Sequence, residues 1–276
     1  MERKPVAYQI YSARDEAAKD LPGVLAALAE LGYDGVEFAG FYGHSAAEIA
    51  ELLGRYGLKA LSSHVPIQDI LADMAGVIAY HQQIGCEYIA VPYLGDDDRP
   101  GAKGFAAILR TIYQFGALCR EAGIQLLYHN HDFEFVDVCG LYGLDFLYEA
   151  TPADILQTEI DTCWVHYAGI NPADYIRKYA GRCPVVHLKD YVGKKGNVNP
   201  YALIGQEDNA DRSGLAFEFR PFGHGVQDAE SVVKASIESG ADWFVIEQDL
   251  SVGRTPLEAA KMSIETLRKI GVAKPL

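Results

Sequence analysis

The sequence predicts an α/β protein built as one (β/α)8 barrel, and three observations predict it. Short runs of continuous apolar residues alternate with longer amphipathic segments eight times along the 276 residues. Strands that are apolar on both faces and joined by helical crossovers belong to parallel sheets covered on both sides, and eight such units close into a barrel. The competing doubly wound sheet needs a glycine-rich phosphate turn after its first strand, whereas that stretch here reads YSARDEAAKDLPG. No leftover segment is large enough for a second domain, so residues 1–276 read as a single barrel domain with one surplus connection at 191–227.

The elements follow in order. PVAYQIY (5–11) reads as the first strand; Leu21, Val24, Leu25, Leu28 and Leu31 then share one face of a helix that Gly32 stops. DGVEFAG is the second strand, and Ser45 with Glu48 forms a capping box for a helix ending at Gly57. LKALSSHV (58–65) is the third strand, with Pro66 opening a helix to about Gly85. EYIAVPYL (87–94) and a helix over 103–122 follow, then IQLLYHNH (124–131) and a short helix over 142–150. ILQTEID (155–161) is the sixth strand, and Asn171–Pro172 signals the next helix as N-cap and first turn. PVVHLKD (184–190) is the seventh; after the long connection come a helix over 228–239, the strand DWFVIEQD (242–249), and a helix from Thr255–Pro256 to Lys269.

Composition excludes several classes. With 49% hydrophobic residues the chain is not disordered, and no run approaches the roughly 18 apolar residues of a transmembrane helix. The opening MERKPVAYQIYSARDE lacks the apolar centre of a signal peptide. A net charge of −14 opposes polyphosphate, so neither nucleic acid nor membrane is the expected partner. The five cysteines (Cys86, Cys119, Cys139, Cys163, Cys183) are scattered without CxxC spacing, which points to reduced thiols in the cytoplasm. Homo-oligomerisation is left open.

Barrel chemistry sits at the C-terminal strand ends. His64, His129, His131 and His187 fall there, His44, His166 and His224 fall in the connections that follow, and only His81 lies inside a helix. Glu37 ends the second strand, Asp161 the sixth, and Glu247 with Asp249 the eighth. Singly, each has a structural alternative: His64 as a packed histidine, Glu37 in a salt bridge, Lys189 as a barrel lysine, Trp164 and Tyr93 as rim packing, and the run Asp96–Asp98 as a solvated loop. Together, Asp161, His187 and Glu247 come from three adjacent strands and form a hard nitrogen–oxygen set suited to Mn2+, Mg2+, Co2+ or Zn2+.

At these residues the chain resembles the xylose-isomerase-like TIM-barrel superfamily, the sugar phosphate isomerase/epimerase group. The resemblance spans the whole chain and is strongest in YHNHDFEF (128–135), EIDTCWV (159–165), PVVHLKD (184–190) and VIEQD (245–249). It implies one divalent metal held by Glu, Asp, His and Glu after strands five to eight, and Asp161, His187 and Glu247 match the last three. Tyr128 stands where many members carry the first glutamate, so the expected fourth ligand is Glu134, with His131 as its substitute. The same fold hosts AP endonucleases, but their strand-six DTCH is DTCW here, and the indole of Trp164 cannot ligate zinc.

The resemblance implies a sugar isomerase or epimerase acting on a ketose or related keto-sugar through an enediolate that the metal stabilises. Glu247, with Glu134 or His131 opposite, would move protons; Glu37, His64, His129 and Lys189 would bind sugar hydroxyls, and Trp164 would wall the C–H face. The alternative is an inosose-dehydratase-like lyase acting on a keto-cyclitol or oxidised glycoside, and a third reading is a non-catalytic sugar-binding or accessory subunit. No Walker-type loop occurs, and Lys194, Lys195, Arg212 and Arg220 are the only basic cluster near the mouth, so an unphosphorylated sugar or cyclitol is the expected small-molecule partner.

Overall fold

Eight parallel strands close on themselves in the computed structural model, which describes residues 1–193 and 217–276. They are β1 (Val6–Gln9), β2 (Gly35–Ala39), β3 (Lys59–His64), β4 (Tyr88–Val91), β5 (Gln125–His129), β6 (Leu156–Asp161), β7 (Val185–Leu188) and β8 (Trp243–Ile246). Closure is by β1 against β8, with Ala7 opposite Val245. This is the (β/α)8 barrel that the alternation of apolar strands and helices predicts.

The two-residue period of the strands divides the interior into layers. Ala7, Leu61, Ala90, Leu127, Val185, Trp243 and Val245 form an apolar plug inside the barrel. Two residues further along, on the same faces as Ala7, Leu127, Val185 and Val245, stand Gln9, His129, His187 and Glu247. The intervening residues, among them Tyr8, Tyr128 and Ile246, point outward and join the large core beneath the helices. One helix lies so close that a side chain at Gly116 would meet the Ile155 carbonyl oxygen at 2.5 Å.

The expected caps form. Ser45 with Glu48 and Thr255 with Glu258 make capping boxes, Asn171 caps Pro172–Lys178, and Gly57 ends its helix at φ +67°. Other boundaries differ for local reasons. The first strand stops at Gln9 because Ile10–Ala13 turns into a 3-10 helix. The first long helix begins at Arg14 and is interrupted at Asp20, whose carboxylate accepts from Gly23 N–H and restarts it. The helix expected over 66–85 splits into Ile67–Ala72 and Met74–Gln83 at Asp73, which caps the second piece through Gly76 N–H. Asp161 likewise caps a short helix, Thr162–Tyr167, that the sequence reading lacked.

Two antiparallel ribbons add to the barrel: Asp137–Val138 with Leu141–Tyr142, and Asp190–Gly193 with Phe217–Arg220. The second replaces the ends of the expected 191–227 loop; residues 194–216, including Lys194, Lys195 and Arg212, lie outside the described residues. Asp190 fastens this region. Its carboxylate accepts from the backbone N–H groups of Tyr191, Val226 and Gln227 on Oδ1 and of Gly223 and Gly225 on Oδ2. No helix among the described residues is long and apolar enough to cross a membrane.

Candidate metal centre and cavity

In the polar upper layer, side chains from β3, β5, β6 and β7 meet Glu247, the residue directly after β8. One ligand atom from each of His129, Asp161, His187 and Glu247 lies within 4.8 Å of every other, and His64, His129, Glu159 and His187 form a second group on the same terms. All are buried. The two groups share His129 and His187 because β5, β6 and β7 are neighbours, with His129 paired to Glu159 and Asp161 to His187.

Beneath the mouth, imidazoles and carboxylates alternate. His64 Nε2 lies 3.0 Å from Glu37 Oε1 and 2.8 Å from Glu159 Oε2, and His187 Nε2 lies 2.8 Å from the same Glu37 oxygen. His187 also faces Glu247 Oε2 at 3.1 Å through Nδ1. A neutral imidazole donates at only one nitrogen, so His187, which faces a carboxylate at each nitrogen, donates to both only when protonated, and a cation could stand in place of one of those protons. Burial opposes charge on His64, but Glu37 and Glu159 outweigh it and raise its pKa to about 10. Burial would also raise Glu37, and the two histidines hold it well below the usual carboxylate range instead.

Lys189 lies nearer the mouth. Its Nζ is 2.7 Å from Asp249 Oδ2, 3.0 Å from Glu247 Oε2 and 3.4 Å from Asp161 Oδ2. It also stands over the Trp164 ring at 5.1 Å. Burial pushes Asp249 up to about 7, against the pull of Lys189, while the same lysine holds Glu247 low despite burial. His131 is held well below its ordinary pKa by burial and then by Lys189.

The donor set fits a divalent cation. Five carboxylates (Glu37, Glu159, Asp161, Glu247, Asp249) are buried around a single lysine. Glu37 Oε2 and Glu159 Oε1 are buried and accept no hydrogen bond among the described residues. Uncompensated buried carboxylate oxygens are costly, and a hard cation bound by imidazole and carboxylate relieves that cost.

The expected site residues divide as follows. Asp161, His187 and Glu247 come together, and His129, expected to bind hydroxyls, completes their group. Glu134 does not join it: its carboxylate accepts from Tyr128 Oη at 2.7 Å and His131 N–H at 2.8 Å. Burial raises this carboxyl to about 8. His131, the substitute, lies outside both four-residue groups, its ring stacked on Phe133.

A cavity of about 860 Å3 opens over the centre, and His64, His129, His131, Lys189 and Glu247 line it. Two residues expected to touch substrate are not in its wall. Glu37 is fully buried between Gln9, His64 and His187, and Trp164 is fully buried against Tyr167, Phe217 and Phe219. The sequence reading passed over Glu159, although its place two residues before Asp161 puts both on the same face of β6.

A closed parallel barrel with a nitrogen–oxygen centre at its C-terminal mouth defines the class of protein, and the comparisons narrow it. A family model described as xylose isomerase-like TIM barrel matches residues 25–270, and the chain belongs to that family. Among curated proteins it is similar to an inosose dehydratase of Geobacillus kaustophilus (strain HTA426), 24% identical over 192 residues, which is 58% of this chain and 62% of that protein. Among solved structures it is similar in fold to a sugar phosphate isomerase/epimerase from Parabacteroides distasonis ATCC 8503 (TM-score 0.78, 22% identity, 98% of this chain and 100% of that one). It is also similar in fold to the IolI protein solved with a zinc atom (TM-score 0.68, 14% identity, 96% and 97% covered).

Proposed function

We propose that the chain is a divalent-metal-dependent isomerase or epimerase that moves a proton beside the carbonyl of an unphosphorylated keto-sugar. The observation that carries this reading is the buried group His129, Asp161, His187 and Glu247, drawn from β5 to β8 and open to a cavity through His129 and Glu247. These four would hold the ion, with His129 in the place where Glu134 was expected. A bound Mn2+, Mg2+, Co2+ or Zn2+ supplies Lewis-acid polarisation of a substrate oxygen.

The chain's own groups do the rest. Glu247, kept ionised by Lys189, accepts a proton at its carboxylate. His131, kept neutral at the cavity wall, takes or returns one from another direction. Lys189 donates towards substrate oxygen, and His64 stands beside it in the wall for a hydroxyl. Tyr128 and Glu134 act behind His131, since the Glu134 carboxylate holds its backbone N–H. The buried free thiols Cys86, Cys119, Cys163 and Cys183 support a reducing, cytoplasmic setting.

A second reading, dehydration of a keto-cyclitol, is favoured by the similarity to an inosose dehydratase. Proton abstraction is common to both, and the fate of the adjacent hydroxyl separates them. Incubation in deuterium oxide with ketoses and inososes tests this directly. Solvent deuterium in recovered sugar without loss of water supports isomerisation; a new enone absorbance replaces it with the lyase. Neither signal, with sugar still bound, reduces the chain to a binding subunit.

A further inference from the structure

The metal group comes from β5 to β8, but the cavity extends over the opposite half of the barrel, above β2, β3 and β4. At about 860 Å3 it sits in the upper part of the roughly 300–1,000 Å3 range that encloses drug-sized ligands. One hexose at the centre leaves most of this space unfilled. The far half has an apolar wall, formed by Phe41 from the loop after β2, Pro66 after β3, Val77 and Tyr80 from the helix Met74–Gln83, and Pro92 after β4, beside the polar Gln68, Asp69 and Asp73.

The aromatic wall is fixed in place. The Phe41 and Tyr80 ring centroids are 4.2 Å apart, and Phe41 also packs on Phe38 and His81. Tyr80 Oη donates to the His44 carbonyl, which engages its one hydroxyl and leaves the ring as an apolar surface. The Phe41 loop is held in left-handed backbone at Gly40, Tyr42 and Gly43 (φ +80°, +53° and +83°), of which Tyr42 is not a glycine. Such strain persists only where the surroundings enforce it.

Charge narrows the occupant further. Lys189, at the metal end, is the only lysine or arginine among the described residues lining the cavity, and the remaining charged residues away from the centre are Asp69 and Asp73. A phosphate at the far end would meet carboxylates and no counter-charge.

We propose that the reacting sugar carries an uncharged apolar substituent, of the aryl-glycoside type, seated against Phe41, Val77 and Tyr80. The inference rests on the keto-sugar reading above and names its substrate class. Aromatic faces bind apolar rings and sugar C–H surfaces by burial and offset stacking, worth about tenfold in affinity for one ring.

The test is calorimetric titration of the full chain with phenyl β-D-glucopyranoside, methyl β-D-glucopyranoside and glucose 6-phosphate, with metal content measured on the same sample. The phenyl glucoside should bind about tenfold more tightly than the methyl glucoside, and glucose 6-phosphate most weakly. Phe41→Ala should shrink the phenyl preference to about threefold or less while leaving methyl glucoside binding unchanged. Val77→Asp, which charges the same wall without opening a hole, should shrink it as well. Equal phenyl and methyl affinities, tightest binding of glucose 6-phosphate, or no binding by any of the three overturns the inference. A phenyl preference in a chain that never holds metal overturns the proposed function and leaves the subsite standing.

Discussion

Lys189 Nζ stands 3.0 Å from Glu247 Oε2, a buried ion pair at the mouth of the barrel. Asp249 and Asp161 crowd the same ammonium, so Lys189 is the main counter-charge where Asp161 and Glu247 would hold a metal ion. Removing one partner of a buried pair costs about 3–5 kcal/mol, because the other charge is left uncompensated. Lys189→Met should therefore destabilise the chelator-treated protein by about that amount, and the metal-loaded protein by less. Urea unfolding with and without chelator measures both; an equal loss in the two would place Lys189 outside the electrostatics of the centre.

Asp190 holds the segment after β7 through five backbone N–H groups, and Gln227, at the end of that segment, donates to the Lys189 carbonyl at 2.5 Å. Asp190→Ala leaves these donors without their acceptor and should cost at least about 2 kcal/mol. Gly225→Ala should be destabilising for a steric reason, since its new Cβ would lie 2.1 Å from Asp190 Oδ1 and 2.4 Å from the Tyr191 carbonyl oxygen. Thermal unfolding reads both, and unchanged transitions would show that the ribbon is held elsewhere.

Glu134 gives a pH dependence with a defined sign. Its folded pKa, raised to about 8 from 4.5 by burial, means that the folded protein favours the protonated carboxyl. The associated stability is complete below the unfolded value and is lost as pH rises through the folded one. Glu134→Gln removes that titration, so the variant should gain on wild type between about pH 5 and about pH 9 in denaturant unfolding. The variant should also keep its metal. Loss of metal would return Glu134 to the ligand role that the resemblance suggested.

The barrel was legible because eight apolar strands, three side-chain helix caps and the histidine-bearing strand ends all pointed to one topology. The fourth member of the buried group was not. A search for a carboxylate near strand five settles on Glu134, whereas the register that pairs His129 with Glu159 and turns Tyr128 outward exists only once the barrel closes. Trp164 was expected at the substrate for its chemistry, and the ribbon Phe217–Arg220, distant in sequence, buries it instead. Phe41, Val77 and Tyr80 carry no sequence signal of a cavity, because a loop and a separate helix bring them together. His81, the one histidine that the strand-end pattern set aside, also lines that wall.

The centre itself is tested by elemental analysis of the purified protein alongside Asp161→Ala and His187→Ala. Wild type should carry about one divalent ion per chain, the hard-ligand stoichiometry expected of a single nitrogen–oxygen site, and both variants should lose it while keeping their fold. A metal-free wild type that still exchanges substrate protons, or either variant retaining the full metal complement, would contradict the account.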